Sequence, residues 1–374
     1  MQQELEQLVA ISRYFGSNPD YIIGGGGNTS FKNDRYLWVK ASGVSLADIT
    51  LGGFVQLYRD KLGLIGKKKY SEEVQKREAE VKEDMLAARV HPEKGQRPSV
   101  ETALHNLLEY PFVVHTHPAL VNGLMCSVQA KEKTRELFGE EALFVGFGAG
   151  YSLFVQVKEK LSYYRNRFGK DPQMIFMRNH GIFVGANTID EIVFLYGKVT
   201  AILEKIISPA REKPLSLPKD TELLLEGMTS ILKGKKVKVR HSTLHRHFYQ
   251  GTVAFSQIAR PYTPDIVVYC GPAFIYSEKK NSRDILEDTK RKTELFRKKY
   301  GSDPRIILVK GHGLFGAGDT ESQTETLLDV FEDFMKISKY SEAFGGPHPL
   351  SEEEIAFVNN WEAESYRRRL IGEG

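Results

Sequence analysis

Residues 171–188 read DPQMIFMRNHGIFVGANT, in which an apolar run leads to a His-Gly pair, a second apolar run and a threonine that can cap a helix. Residues 303–320 read DPRIILVKGHGLFGAGDT and align without gaps at an offset of 132, with seven of 18 positions identical. Convergence on a common strand-to-helix turn is one explanation. Duplication of one αβ unit fits better, because DP, HG, F and T fall in register. We therefore predict an α/β protein whose second αβ domain is a degenerate copy of the first.

The chain divides at SPAREKPLSLPKD, where three prolines interrupt every helical or strand pattern. A chain of 374 residues is too long for one small module, at a prior of roughly 150 residues per domain. We predict a catalytic domain at 1–208, a linker at 209–220, a degenerate αβ domain at 221–345 and a helical tail at 346–374. In the first domain we expect a sheet flanked by helices, with strands at 21–23 and 37–39 on either side of a glycine run.

Composition excludes several classes of protein. No apolar run approaches the ~20 residues needed to cross a bilayer, so we expect no membrane-spanning segment. The net charge is only +4, and glutamates interrupt the basic clusters, which argues against nucleic-acid binding. The N-terminus lacks a secretory pattern, and Cys126 and Cys270 have no CxxC partners. We expect a cytoplasmic protein.

A metal site is predicted from histidine spacing. His115 and His117 lie two apart in FVVHTHP, and alternate strand residues face the same side. This pair alone could equally be polar side chains at the mouth of a strand. His180 stands at a strand end and Glu101 at the first turn of a helix, and three histidines with one carboxylate suit tetrahedral Zn²⁺. His105, at i+4 from Glu101, is the rival ligand, which we expect to point along the packed face instead.

The run GGGGNTS at 24–30 is neither a dinucleotide fingerprint nor a P-loop, because the required Gly and GK[ST] positions are absent. It offers unobstructed backbone amides, including that of Gly27, and the side chain of Asn28, which together form a plausible anion nest. Ser42 with Gly43, and Ser99 before a helix, offer further donors. Each alone is equally well read as a tight turn or a helix cap.

The motifs GGGGNTS, LWVKASG, RPSVETALH, VVHTHP and NHGIFVGA occur in an order and spacing that resemble the class II aldolase/adducin family. The resemblance is strongest to the aldolase portion of bifunctional rhamnulose-1-phosphate aldolase/alcohol dehydrogenase proteins, and it covers residues 5–207, extending weakly to about 340. It implies zinc ligation by His115, His117 and His180, with Glu101 as the catalytic glutamate. It also implies phosphate contacts from Asn28, Ser42, Gly43 and Ser99. Val100 replaces a serine that other members place before the glutamate.

The resemblance implies an enzyme, a homo-oligomeric aldolase that uses Zn²⁺ or another divalent metal to split a ketose 1-phosphate into dihydroxyacetone phosphate and an aldehyde. A sugar-phosphate epimerase, decarboxylase or dehydratase, or a non-catalytic adducin-like protein, remains the alternative. In the second half, His312 lacks an accompanying HxH strand or helix-borne glutamate, and LHRHF at 244–248 has basic flanks. We therefore expect the second half to be metal-free.

Overall fold

The computed structural model describes residues 1–208 and 212–361, which form two compact units. Unit 1 comprises Met1–Met125 and Gln129–Ile207, and unit 2 comprises Cys126–Val128 and the chain from Ser208 onward. Within the described ranges, no helix is both long enough and apolar enough to span a bilayer. The predicted class, an α/β protein with a second αβ domain, is confirmed.

Unit 1 is a seven-stranded sheet in the order β3-β2-β1-β4-β7-β6-β5, and only the β5–β6 pair is parallel. Its main apolar core lies between the sheet and α2, α3, α4 and α7. The strands are β1 (Asn28–Lys32), β2 (Tyr36–Lys40), β3 (Phe54–Tyr58), β4 (Phe112–Thr116), β5 (Ala142–Val145), β6 (Met174–Met177) and β7 (Gly181–Ala186). The helices are α1 (Gln2–Gly16), α2 (Arg59–Ile65), α3 (Val74–Ala87), α4 (Thr102–Leu107), α5 (Ala119–Met125), α6 (Ala130–Phe138), α7 (Gly150–Phe168) and α8 (Ile189–Glu204).

The first strand lies after the glycine run, so the predicted strand at 21–23 is wrong. Residues 21–27 are irregular, and β1 begins at Asn28, with all five of its residues buried. The sequence of β1 does not look like a buried central strand, because its polar side chains can be buried only through hydrogen bonds to residues that are distant in sequence. The Thr29 hydroxyl, for example, lies 2.6 Å from that of Ser12 on α1. Such satisfied polar groups can be buried at little cost.

Unit 2 is a four-stranded sheet in the order β8-β11-β10-β9, and its main apolar cluster includes residues of α9 and α13. The strands are β8 (Lys236–Arg240), β9 (Ile275–Ser277), β10 (Ile306–Val309) and β11 (Gly313–Gly318). The helices are α9 (Thr221–Ile231), α10 (Thr243–Phe248), α11 (Thr252–Ser256), α12 (Pro264–Cys270), α13 (Ser282–Tyr300), α14 (Glu321–Ser341) and α15 (Glu352–Asn360).

The predicted linker and tail are only partly described. Residues 209–211 of the linker and 362–374 of the tail lie outside the described residues. Within the linker, Pro214 forms an antiparallel bridge with Ser242. In the tail, α15 begins with a capping box between Ser351 and Glu354. The four segment boundaries stay predictions.

The β4-β7-β6-β5 part of the unit 1 sheet has the same strand order as the β8-β11-β10-β9 sheet of unit 2. In unit 1, Ile175 pairs with Leu143 on one side and Phe183 on the other. In unit 2, Ile307 pairs with Ile275 and Phe315, each 132 residues further along. The β5-β6-β7 and β9-β10-β11 arrangements therefore correspond residue by residue, as duplication of one αβ unit predicts.

The fourth strand corresponds at a different offset. Thr116 of β4 lies opposite Ile182, and Arg240 of β8 lies opposite Leu314, the counterpart of Ile182. Arg240 is thus the counterpart of Thr116, which makes the offset 124. Val239 then stands where β4 has His115, and His241 stands where unit 1 has His117.

Candidate metal centre

Three histidines converge at one edge of unit 1. His115 is in β4, His117 follows the strand end, and His180 lies in the turn between β6 and β7. One ring nitrogen from each lies within 4.8 Å of the other two, and the Nε2 atoms of His115 and His117 are 2.8 Å apart. Within residues 1–208 and 212–361 they form the one group of three such side chains with this spacing.

The His-Gly turn is shaped by close packing of β7 against β4. A Cβ on Gly181 would collide with the Thr116 carbonyl oxygen and lie 2.8 Å from the His117 ring, so only glycine fits without displacement. The side-chain amide of Asn122 donates to the His180 carbonyl at 3.2 Å and supports the same turn. The glycine after His180 therefore lets the turn approach the HxH strand.

Glu101 joins the histidines from the start of α4, where it is the N-cap residue. Its Oε1 lies 3.2 Å from His180 Nε2, and its Oε2 lies 3.4 Å from His115 Nε2. The Asn28 side-chain amide donates to Oε2 at 2.7 Å. The structure thus brings together all four predicted metal-site residues.

The protonation of His115 suits a ligand. Its Nδ1 lies 2.9 Å from the Ile182 carbonyl oxygen, so Nδ1 carries the proton and Nε2 is left with the lone pair that a metal requires. Burial lowers the pKa of the His115 imidazole well below its usual range, which keeps the ring neutral. Phe183 stacks on it at 4.1 Å between ring centroids and fixes its plane.

The carboxyl of Glu101 is held in its ionised form. Burial raises its pKa, but the nearby His180 ring and the hydrogen bonds from His180 and Asn28 outweigh burial. The net effect holds the pKa of Glu101 well below its usual range. Three imidazole nitrogens and an ionised carboxylate oxygen form a donor set that fits a divalent ion.

The predicted anion-binding residues lie on linked segments beside this centre. Gly27 precedes β1, and its φ of +63° and close approach to the His115 carbonyl oxygen favour glycine. An isolated bridge between Ala41 and Pro98 joins the segments that carry Ser42 and Ser99. Gly43, with a φ of +85°, follows Ser42.

Two of these side chains make contacts within the protein: Asn28 contacts Glu101, and Ser99 caps the backbone of Glu101 as the helix-cap interpretation predicts. Asn28 donates its amide to Glu101, so this donor is directed to the carboxylate in the structure. The hydroxyl of Ser99 accepts the backbone N–H of Glu101 at 3.3 Å. Helix α4 begins at Thr102, and Ser99 therefore supports the position of Glu101 from the preceding turn.

Sequence reasoning missed Lys40 and the hydrogen-bond partners of His105, although His105 lies outside the three-histidine group, as predicted. Lys40 is buried at the end of β2, and its Nζ donates to the carbonyls of Gly25 and Gly27 at 3.0 and 2.9 Å. The sequence signal that could have indicated Lys40 was a charged residue directly after the apolar LWV run. His105 is hydrogen-bonded to Asn28 and Ser30 rather than only packed.

Unit 2 retains part of the same arrangement, with an aspartate near His312 where unit 1 has the glutamate that the sequence predicted His312 to lack. Asp220 is the N-cap residue of α9, and its Oδ1 lies 3.0 Å from His312 Nε2. This carboxylate faces His312 in the same way that Glu101, at the start of α4, faces His180. His241 instead binds the Ser216 carbonyl through Nδ1 and the Tyr249 hydroxyl through Nε2, both at 2.8 Å. With Val239 in place of a third histidine, this cluster lacks the three-imidazole set of unit 1.

Comparison with known proteins identifies the class. Residues 6–204 match the class II aldolase and adducin N-terminal domain, and residues 287–367 match the second domain of class II aldolases. The first match covers more than half of the chain. The protein therefore belongs to the class II aldolase and adducin family, as the motifs indicated.

Individual relatives are distant. The chain is 22% identical to a Bacillus subtilis (strain 168) protein named uncharacterized oxidoreductase YuxG, over 98% of this chain. It spans only 58% of the length of that curated relative. The narrower resemblance to bifunctional aldolase/dehydrogenase proteins stays a prediction.

Two similar solved structures each align with about half of the chain. The N-terminal class II aldolase domain of a Thermoplasma acidophilum protein is 27% identical, with a TM-score of 0.45, over 54% of this chain and 92% of that one. The L-fuculose-1-phosphate aldolase of Thermus thermophilus is 16% identical, with a TM-score of 0.36, over 55% of this chain and 92% of that one.

Proposed function

We propose that unit 1 is a divalent-metal-dependent aldolase that cleaves a ketose 1-phosphate into dihydroxyacetone phosphate and an aldehyde. The observation that carries the proposal is the meeting of His115, His117 and His180 with the Glu101 carboxylate. Membership of the family supports it. The three histidines and, in the resting state, Glu101 would hold Zn²⁺ or a similar ion.

The reaction breaks the bond between C3 and C4 of the ketose. The C4 hydroxyl loses its proton as the aldehyde leaves, and the bonding electrons remain on the other fragment as an enediolate. That fragment must then gain a proton at C3 to become dihydroxyacetone phosphate. When bound, a divalent ion supplies Lewis acidity that stabilises the negative charge next to the carbonyl carbon.

Glu101 is suited to move that proton. Its carboxylate is ionised and hydrogen-bonded to Asn28, and the residue stands at a helix start, where the side chain can swing without backbone change. A carboxylate within reach of the reacting carbon performs general acid–base work. We propose that the ionised Glu101 carboxylate takes up the proton that the C4 hydroxyl loses and delivers it to C3 of the enediolate.

The segments carrying Gly27, Ser42, Gly43 and Ser99 are the proposed phosphate site. Phosphate held there would position the reacting carbons through binding energy that is remote from the bond being broken. Val100 replaces one donor of the family pattern, so the phosphate contacts rest more heavily on backbone amides. Lys40 holds the glycine run in place through its two carbonyl contacts.

Two further properties belong to the proposal. We place the protein in the cytoplasm, supported by two buried cysteines that remain thiols and form no disulfide. We also propose that the protein acts as a homo-oligomer without a membrane partner. We expect no nucleic-acid partner, because its small net charge offers no concentrated basic surface.

The test is a substrate screen. Purified protein with added Zn²⁺, Mn²⁺ or Co²⁺ is mixed with ketose 1-phosphates that differ in configuration at C3 and C4, and released dihydroxyacetone phosphate is coupled to NADH oxidation. The unphosphorylated ketoses are run beside them, with cleavage followed by the released aldehyde, to test the phosphate site. The His117→Ala protein controls for contaminating aldolase.

Release that requires metal and is absent in His117→Ala supports the proposal. Conversion of a sugar phosphate to an epimer or a decarboxylated product, detected by proton NMR without dihydroxyacetone phosphate, would overturn the aldolase assignment. Turnover that persists in His117→Ala would remove the metal centre from the reaction.

A further inference from the structure

A buried chain of hydrogen bonds leads from Glu101 into the interior of unit 1. Asn28 Nδ2 donates to Glu101 Oε2 at 2.7 Å, and the other atom of the same amide, Oδ1, contacts His105 Nε2. His105 Nδ1 lies 2.7 Å from the Ser30 hydroxyl. We call these four residues, Glu101, Asn28, His105 and Ser30, the relay. Its last three side chains are buried, and those of His105 and Ser30 have no exposed surface.

Only one placement of the protons allows a neutral His105 to form both of its hydrogen bonds, to Asn28 and to Ser30. A flipped Asn28 amide would face its oxygen towards the Glu101 carboxylate, so the nitrogen must face Glu101 and the oxygen must face His105. An amide oxygen can only accept, so His105 Nε2 carries the proton. Nδ1 is then an acceptor, and the Ser30 hydroxyl donates to it.

The surroundings keep His105 neutral and fixed. Burial lowers the pKa of its imidazole to about 3, so the ring is uncharged at any working pH. The ring packs edge-on against Phe183, with centroids 5.2 Å apart, and Phe183 stacks on His115 on its other side. One phenyl ring therefore supports both the relay and a ligand of the metal centre.

The backbone places the relay beside the ligands. Asn28 and Ser30 are two residues apart on β1 and so face the same side of the sheet, and Asn28 lies opposite His115 in the antiparallel pairing with β4. His105 lies one helical turn after Glu101 at i+4, on the same face of α4. Strand period and helix period thus bring the four side chains together.

We propose that His105 is a positioning residue, which fixes the orientation of the Asn28 amide so that Asn28 holds the Glu101 carboxylate in place for proton transfer. The proposal rests on the proposed aldolase function. Without the Nε2 donor, the amide is free to rotate and present its oxygen to Glu101, and the repulsion would displace the carboxylate. A displacement of about 1 Å at a reacting group costs about 10²-fold in rate.

Two variants of His105 separate this role from packing. In His105→Gln the side-chain amide nitrogen reaches the position of Nε2 and keeps a donor towards Asn28. In His105→Asn the amide reaches only the position of Nδ1, so the Ser30 contact is kept and the Asn28 contact is lost. Ser30→Ala, a small change, approaches the relay from its other end.

We expect His105→Gln to keep kcat within about threefold of wild type. We expect His105→Asn to lower kcat by about 10²-fold with KM within about threefold, and Ser30→Ala to lower kcat about tenfold. Because the three histidines remain as ligands, metal content after dialysis should stay near one ion per chain in all three variants. Equal kcat in the Gln and Asn variants would overturn the proposal, and so would a loss of kcat that follows a loss of metal.

A readout without turnover keeps the relay testable if the aldolase assignment fails. In protein labelled with ¹⁵N-histidine, the His105 signals are identified by their absence from His105→Gln. We expect Nε2 protonated and Nδ1 unprotonated, with the same form in Zn²⁺-loaded and metal-free protein. A proton on Nδ1 would contradict the hydrogen-bond directions whatever reaction the protein catalyses.

Discussion

Lys32 offers a sharp test of how unit 1 is built, because it is a cation in the buried central strand β1. Only 3% of its surface is exposed, and its Nζ donates to the Tyr110 carbonyl oxygen at 2.6 Å. Burial, assisted by the charge of Arg59, lowers the pKa of its ammonium from 10.5 to about 7. The folded protein therefore releases this proton more readily than the unfolded chain does.

The size of the effect follows from that difference. Above pH 10.5 both states are neutral at this residue, and folding carries no penalty from Lys32. As the pH falls from 10.5 to about 7, only the unfolded chain takes up the proton, and stability falls by about 1.4 kcal/mol per pH unit. The penalty reaches about 5 kcal/mol near pH 7 and stays constant below it.

Lys32→Met removes the charge and fills similar space with apolar atoms. It also leaves the Tyr110 carbonyl without the lysine donor, which costs about 1–3 kcal/mol. We therefore expect the free energy of unfolding to rise by about 2–4 kcal/mol at pH 7. At pH 10 the remaining penalty is below about 1 kcal/mol, so the gain should become a loss of up to about 2 kcal/mol.

The assay is urea unfolding followed by the fluorescence of Trp38, which lies on β2 and stacks on Phe31 beside Lys32. A Trp361→Phe background makes Trp38 the only tryptophan of the chain. Lys67→Met, at an exposed lysine, controls for the general effect of pH on charge. A stability change in Lys32→Met that is the same at pH 7 and pH 10 would refute the reasoning.

Two further predictions concern the site itself. Glu101→Gln should keep its metal, measured by elemental analysis, yet lose about 10²- to 10⁴-fold in turnover, because general acid–base catalysis is removed; near-normal turnover would exclude a proton-transfer role. Gly27→Ala should lower the melting temperature more than Gly95→Ala, because both have positive φ but only the Gly27 methyl would meet a backbone atom, the His115 carbonyl oxygen at 2.7 Å. Equal losses in the two alanine variants would show that the contact at Gly27 relaxes freely.

The family, the fold class and the repeat could be predicted because they depend on local patterns. His115 and His117 share a strand face by the two-residue period, and the His-Gly turn recurs at a fixed offset. Gly181 and Gly313 show why the turn is kept, since a Cβ on either would collide with a carbonyl oxygen of the neighbouring strand, from Thr116 or Arg240.

Contacts between residues that are distant in the chain could not be predicted from the sequence. The strand β1 was missed because NTSFK lacks an apolar pattern, and its burial depends on partners such as Ser12 and His105, which lie far away in sequence. Asp220 was missed as the partner of His312 because it lies 119 residues after Glu101, whereas the two His-Gly turns are 132 residues apart. Alignment at one fixed offset cannot place an acid that lies 13 residues away from the expected position.

The central claim, that His115, His117 and His180 form a metal centre, is tested most directly by metal content. Elemental analysis of protein dialysed after purification should find about one divalent ion per chain in wild type and in His91→Ala, an exposed histidine elsewhere in unit 1. His117→Ala should retain almost none. Stoichiometric metal in His117→Ala would contradict the account.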